Sequence, residues 1–225
     1  MAAQPQEIDQ FRFVSDVDLK GSERLGIHTG YGWEFDPKRL GFTAARYKFV
    51  AKMVEGLSSV LEVGCGDAFF SRIVKQHLAK DSTLQAIDIN RAYIGEAIKK
   101  NNPKDGRWRV WLGDWDILQG PLAPSQKWDA VYSLDLFEHL EDEDTFLKNL
   151  SLCAPLCIVG TPSLDSQAHA SPISRTEHIN CKTKAGFRDS MKQHFRHVLM
   201  FGMTDEVLHT GYDPFCPYLF AIGIN

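Results

Sequence analysis

Between Ser59 and Gly160 short apolar runs alternate with segments of helical spacing, and no other feature limits the fold as much. Ser59 to Val63, Leu84 to Ile89, Trp108 to Leu112, Trp128 to Leu134 and Leu156 to Gly160 read as strands. Phe69 to Leu78, Ala92 to Lys100 and Asp144 to Leu152 read as the helices between them. A strand that must return parallel to its predecessor needs a crossover, and a helix supplies it, so a hundred residues of this pattern predict βαβ units and a parallel sheet. Upstream, Ala44, Tyr47, Val50, Ala51 and Val54 recur at helical spacing between Thr43 and Leu57, whereas Gly26, Gly30, Gly32 and Asp36-Pro37 read as turns. Downstream, a helix carrying Phe187, Met191 and Phe195 precedes two strand-like runs, His197 to Met203 and Tyr218 to Ile224. A terminal hairpin on the sheet edge accommodates them.

Composition narrows the function classes. The 225 residues carry 25 Lys plus Arg against 29 Asp plus Glu, a net charge of −4. A nucleic-acid binder normally carries a basic excess to displace counterions, so no nucleic-acid partner is expected. No apolar run reaches the 18 or so residues of a membrane span, so no membrane partner is expected either. The first ten residues lack a basic and apolar leader. Five cysteines without a CxxC pair fit reduced thiols and a cytoplasmic protein.

In open parallel sheets ligands bind beyond the carboxyl ends of the strands. The turn Glu62-Val63-Gly64-Cys65-Gly66-Asp67-Ala68-Phe69 lies at such an end, and its glycines let the backbone approach a ligand closely. A GxGxxG dinucleotide fingerprint requires glycine where Phe69 stands, and Asp67 repels a pyrophosphate. Glu62, Asp67, Asp88, Asp114, Asp116, Asp135 and Glu138 all fall at predicted strand ends. That acidic rim suits a ligand with positive centres and ribose hydroxyls. A carboxylate such as Asp88 can accept from both hydroxyls of a ribose. Taken alone, Glu138 reads as a first-turn helix charge.

The run VLEVGCGDAFFSRIV resembles the first motif of the class I S-adenosylmethionine-dependent methyltransferases, with Ala68 in place of its third glycine. The resemblance continues in order through Ile87-Asp88-Ile89, Leu112-Gly113-Asp114-Trp115, and the stretch from Trp128 to Asp135 with Ser133 and Leu134, followed by Glu138-His139-Leu140. It covers residues 44 to 200. It implies a Rossmann-like α/β fold with a mostly parallel seven-stranded sheet, an antiparallel C-terminal edge hairpin and helices on both faces. It also implies S-adenosylmethionine as cofactor, held by Glu62, Gly64, Cys65, Gly66, Asp88, Ile89, Asp114, Trp115, Ser133 and Leu134. Asp88 corresponds to the ribose ligand and Asp114 to the residue facing the adenine.

Residues 1–42 are expected to form an N-terminal extension and 43–225 the methyltransferase domain. In the extension Tyr31, Trp33, Phe35 and Phe42 are candidates for a lid over the cofactor, Tyr31 and Trp33 also for acceptor contacts, and Arg46, just beyond it, offers a guanidinium fork for the cofactor carboxylate. The polar stretch from Thr161 to Lys182 holds Asp165, His169, Glu177 and His178. With the later FGMTDEVLHTGYDPFCPYLF, it resembles bacterial methyltransferases of surface polysaccharide and lipopolysaccharide gene clusters, which implies a small polar, sugar-like acceptor. Methyl transfer from a sulfonium needs alignment first, and a hydroxyl acceptor adds the need for a base. His178 is the first candidate, oriented by Glu177 or Asp165, His139 the second and His209 the third. Asp165 and His169 are candidate acceptor contacts. No cysteine and histidine set has zinc-site spacing, so no metal is expected. The combined expectation is transfer of a methyl group to an oxygen of a small polar metabolite by a monomer or homodimer. The other readings are methylation at nitrogen and a non-catalytic cofactor-binding partner subunit.

Overall fold

A computed structural model describes residues 25–100, 110–122, 126–210 and 216–225. Eight strands form one sheet: β1 (Ser59–Val63), β2 (Thr83–Asp88), β3 (Trp111–Asp114), β4 (Ala130–Leu134), β5 (Leu156–Pro162), β6 (His197–Thr204), β7 (Val207–His209) and β8 (Tyr218–Ile224). Their order is β3-β2-β1-β4-β5-β8-β6-β7. The first five pair parallel, and strand order reverses between β1 and β4, which opens a crevice at their carboxyl ends. β8 inserts antiparallel between β5 and β6.

The expected fold class is observed, with one strand more than expected. The extra strand is β7, three residues paired antiparallel to the end of β6, too short to show an alternating pattern in the sequence. It also moves the sheet edge beyond the pair formed by β6 and β8. The start of the third expected strand, at Trp108, lies outside the described residues.

Alternation along the strands divides the core between the two faces of the sheet. Val60 of β1 packs with Val50, Val54, Leu84, Tyr132 and Phe220. Its neighbour Leu61 points the other way, into Ile87, Val131, Phe146, Leu150 and Phe187. Helix α2 (Pro37–Met53) covers the first face, while α5 (Glu143–Cys153) and α7 (Lys184–Lys192) contribute to the second. The crossovers α3 (Ser71–His77) and α4 (Arg91–Lys100) follow β1 and β2.

The N-terminal region departs from expectation. Residues 27–35, read as turns, form helix α1 (Ile27–Phe35), and α2 starts at Pro37, six residues before the predicted Thr43. The break comes at Asp36-Pro37, where proline takes the first helical position. Gly26 marks a close approach rather than a turn: a Cβ there would run into the carboxylate of Asp67. The polar stretch after β5 also gains structure, as a 3₁₀ turn (Asp165–His169) and the short helix α6 (Pro172–Glu177), capped by Ser171. Among the described residues no helix is long and apolar enough to cross a membrane.

Candidate functional site

A cavity of about 700 Å³ opens at the carboxyl ends of β1, β2 and β4. One end is the turn after β1. Gly64, Cys65 and Gly66 line it together with Asp88 from the end of β2. Gly64 sits at φ +80°, and a Cβ on it would meet Leu136 Cδ2 at 2.7 Å, so neither the turn nor the packing admits a side chain. Gly66, at φ +55°, has open space where a Cβ would project. Asp88 fixes this turn by accepting from Gly66 N at 2.8 Å and Asn90 N at 2.8 Å, one bond to each oxygen. Each oxygen keeps a lone pair, so the carboxylate can still take two hydroxyls.

Helix α1 lies over this end. Thr29 donates from its backbone N to Asp67 Oδ2 at 2.8 Å and from its hydroxyl to Oδ1 at 2.9 Å. Asp67 is thus a clamp that ties the helix to the glycine turn. His28, Tyr31 and Phe35 of α1 line the cavity with Tyr93 of α4. Behind the turn, Glu62 is buried and accepts from Tyr47 Oη at 2.6 Å. Burial raises its pKa, and the bond from Tyr47 partly offsets that.

The opposite end is built from two distant segments. Asp135, Leu136, Glu138 and His139 follow β4, and Ser171, Ser174, Glu177 and His178 belong to α6 and its caps. Glu138 is 1% exposed, in a 3₁₀ turn, and accepts from Thr161 Oγ1 at 3.0 Å. It is a first-turn helix carboxyl, as read from the sequence, that is buried and also lines the cavity. Burial, with the charge of Asp135 added, pushes its pKa well above the usual carboxylate range. The His139 and His178 rings meet edge to face, centroids 5.0 Å apart. Burial and the neighbouring His139 lower the pKa of His178. Asp135 holds a left-handed backbone, φ +53°, while both its oxygens accept from Arg46 Nη1, at 2.8 and 2.9 Å. Arg46 also lies over the Tyr218 ring, 3.8 Å from its centroid.

Of the sequence-predicted residues, Gly64, Cys65, Gly66, Asp88, Leu134, Tyr31, His139, Glu177 and His178 line one cavity. Others lie elsewhere. Glu62 and Ser133 are buried behind the cavity wall, and Ile89 is 71% exposed. Asp114 pairs with Arg91 at 2.7 Å, and Trp115 Nε1 donates to Gly120 O. Arg46 is engaged by Asp135, Trp33 is exposed on α1, and Asp165 and His169 sit in the 3₁₀ turn outside the lining. Sequence reasoning missed Thr29 with its clamp on Asp67, Tyr93, and the serines of α6. The Ser171-Pro172 pair was the available signal for the last, as a cap and first residue of a helix.

Residues 60–153, from β1 to the end of α5, match a family model described as a methyltransferase domain. That match makes the region from β1 to α5 similar to methyltransferase domains. No curated protein matches it. Solved structures share its fold at low identity. The small RNA methyltransferase HEN1 is 19% identical, with TM-score 0.67 over 81% of this chain and 25% of that one. Magnesium protoporphyrin IX methyltransferase from Synechocystis PCC 6803, solved with bound SAM, is 18% identical, with TM-score 0.56 over 90% and 86%. The N-terminal domain of EvdMO1, solved in the presence of SAH and D-fucose, is 13% identical, with TM-score 0.59 over 80% and 82%. The methyltransferase domain fits its cofactor at the glycine turn. The bare Gly66 surface leaves room for it, and Asp88 keeps acceptor capacity for a ribose.

Proposed function

We propose that the chain transfers the methyl group of S-adenosylmethionine to a hydroxyl oxygen of a small polar acceptor, sugar-like or sugar-linked, of the kind used in surface polysaccharide assembly. The observation that carries this reading is the polar lining opposite the glycine turn: Glu138, His139, Ser171, Ser174, Glu177 and His178. Carboxylates, hydroxyls and imidazoles match a polyhydroxylated molecule, whereas an apolar ring system would leave them without partners. The D-fucose present with the EvdMO1 domain supports a sugar on this fold. The net charge of −4 disfavours a nucleic-acid acceptor.

Bound at the glycine turn, the cofactor supplies an electrophilic methyl group on a sulfonium. The chain's own contribution is first alignment. Gly64 and Gly66 let the cofactor approach the backbone, Asp88 holds its ribose, and Tyr31 with Phe35 on α1 covers it from water. At the other end the acceptor hydroxyl passes its proton to the His178 imidazole, with His139 and Glu177 beside it. The oxygen forms its bond to the methyl carbon as the carbon–sulfur bond breaks, and the sulfur leaves as a neutral thioether.

Incubation with methyl-labelled cofactor and a panel of monosaccharides, sugar phosphates, nucleotide sugars, amines and short RNA tests the proposal. Label in a base-stable ether on a sugar-class acceptor is expected. Label on nitrogen or RNA, or cofactor binding without consumption by any acceptor, contradicts it.

A further inference from the structure

We propose that Glu138, His139 and His178 form a binding site for one divalent cation at the acceptor end of the cavity. The inference rests on the reading of this end as the acceptor site, and it changes how the imidazoles act there. One ligand atom from each of the three side chains lies within 4.8 Å of the other two. Donor atoms about 2.1 Å from a shared ion stand roughly 3–4 Å apart, so small side-chain rotations close the set.

The surroundings prepare both rings for this role. His139 Nδ1 lies 3.0 Å from the carbonyl oxygen of Glu177. A carbonyl only accepts, so Nδ1 carries the proton and Nε2 keeps its lone pair. That Nε2 already faces Glu138 Oε1 at 3.9 Å. His178 Nδ1 lies 3.2 Å from the side-chain amide of Gln167, whose Oε1 is buried without a partner. Turning that amide over gives Oε1 the Nδ1 proton and leaves His178 Nε2 bare as well. A carbonyl behind each ligating imidazole is the outer-shell arrangement that fixes ring orientation at metal sites. Glu138 supplies the negative charge, held from behind by Thr161 Oγ1 at 3.0 Å. Asp135 stays outside the set, because Arg46 occupies both of its oxygens.

Two imidazoles and one carboxylate leave coordination positions open, and all three side chains line the cavity. A hydroxyl oxygen of the acceptor entering one position has its pKa lowered, and its proton leaves to solvent water. The oxygen lone pair then forms the bond to methyl carbon while the carbon–sulfur bond breaks. Adjacent open positions favour an acceptor with two neighbouring hydroxyls. The fitting ions are first-row divalent cations, whose affinity for such a set rises from Mn²⁺ to Cu²⁺ and falls back at Zn²⁺, still above Mn²⁺. No redox change is involved.

The test titrates Mn²⁺ alone into the full-length protein, without cofactor or acceptor, and reads free Mn²⁺ by electron paramagnetic resonance. One equivalent bound, displaced by Zn²⁺ and weakened at least tenfold in His139→Ala and in His178→Ala, is the expected result. S-adenosylhomocysteine affinity, measured on the same variants, shows that they are folded. Gln167→Leu, which removes only the outer partner of His178, is expected to weaken Mn²⁺ several-fold. The absence of stoichiometric Mn²⁺ and Zn²⁺ binding, or binding unchanged in both histidine variants, overturns the site. Failure of the proposed oxygen methylation shows up separately, since this titration contains no acceptor.

Discussion

The two ends of the cavity are built differently. The cofactor end is nearly contiguous: Gly64, Cys65 and Gly66 belong to one turn, and Asp88 closes it from the neighbouring strand, paired in register with β1. The acceptor end joins two segments some forty residues apart, Glu138 and His139 after β4 with Glu177 and His178 at the end of α6. The first is dictated by backbone geometry, since a left-handed turn and a ligand pressed against main chain admit few side chains. The second is dictated by side-chain chemistry, which many sequences can assemble and which short-range spacing does not reveal. Parallel strands bring the first together almost automatically, whereas the second depends on where an added helix docks.

Substitutions at the two ends should therefore fail in different ways. The largest effect is expected from Gly64→Val, which puts a β-branched side chain at φ +80° and against Leu136. It should cost about 2 kcal/mol or more in denaturant unfolding and abolish S-adenosylhomocysteine binding. His178→Ala should lower turnover at least about a hundredfold with S-adenosylhomocysteine affinity unchanged. Loss of cofactor affinity in that variant would erase the distinction between the ends.

Arg46→Ala probes the joint between them. The Asp135 carboxylate would lose both of its bonds from Arg46, so a loss of about 2 kcal/mol in stability is expected, with turnover falling more than cofactor affinity. Thr29→Val removes the hydroxyl bond to Asp67 and keeps the backbone one. It should weaken cofactor binding several-fold by loosening α1, a change of about 1 kcal/mol in calorimetry. Ala68→Gly is the smallest. Ala68 stands in the third-glycine position of the motif with φ +53°, so glycine should leave stability within about 1 kcal/mol of the parent and cofactor affinity unchanged.

The same contrast governs what the sequence disclosed. Strand β1 was legible to the residue, because a short apolar run into a glycine turn has few other meanings, and so was β8. Helix α1 was not. Gly30 and Gly32 weaken its helical pattern, and its stability comes from Thr29 on Asp67 and from packing on α2, none of which is local. Glu138, taken alone, reads as a first-turn helix charge, and it does stand in the first turn of a 3₁₀ helix, but buried. The hydroxyl that bonds it there, Thr161 Oγ1, belongs to a strand 23 residues further on, beyond the reach of local spacing. Of the carboxylates at strand ends, Asp114 closes β3 as read and pairs there with Arg91.

The most direct test of the account is a calorimetric titration of S-adenosylhomocysteine into wild type, Asp88→Ala and His178→Ala, with NAD as the control ligand. The two-ended cavity predicts binding to wild type and to His178→Ala with equal affinity, at least tenfold weaker binding to Asp88→Ala, and no response to NAD. Equal affinity in Asp88→Ala, or binding of NAD in its place, would contradict it.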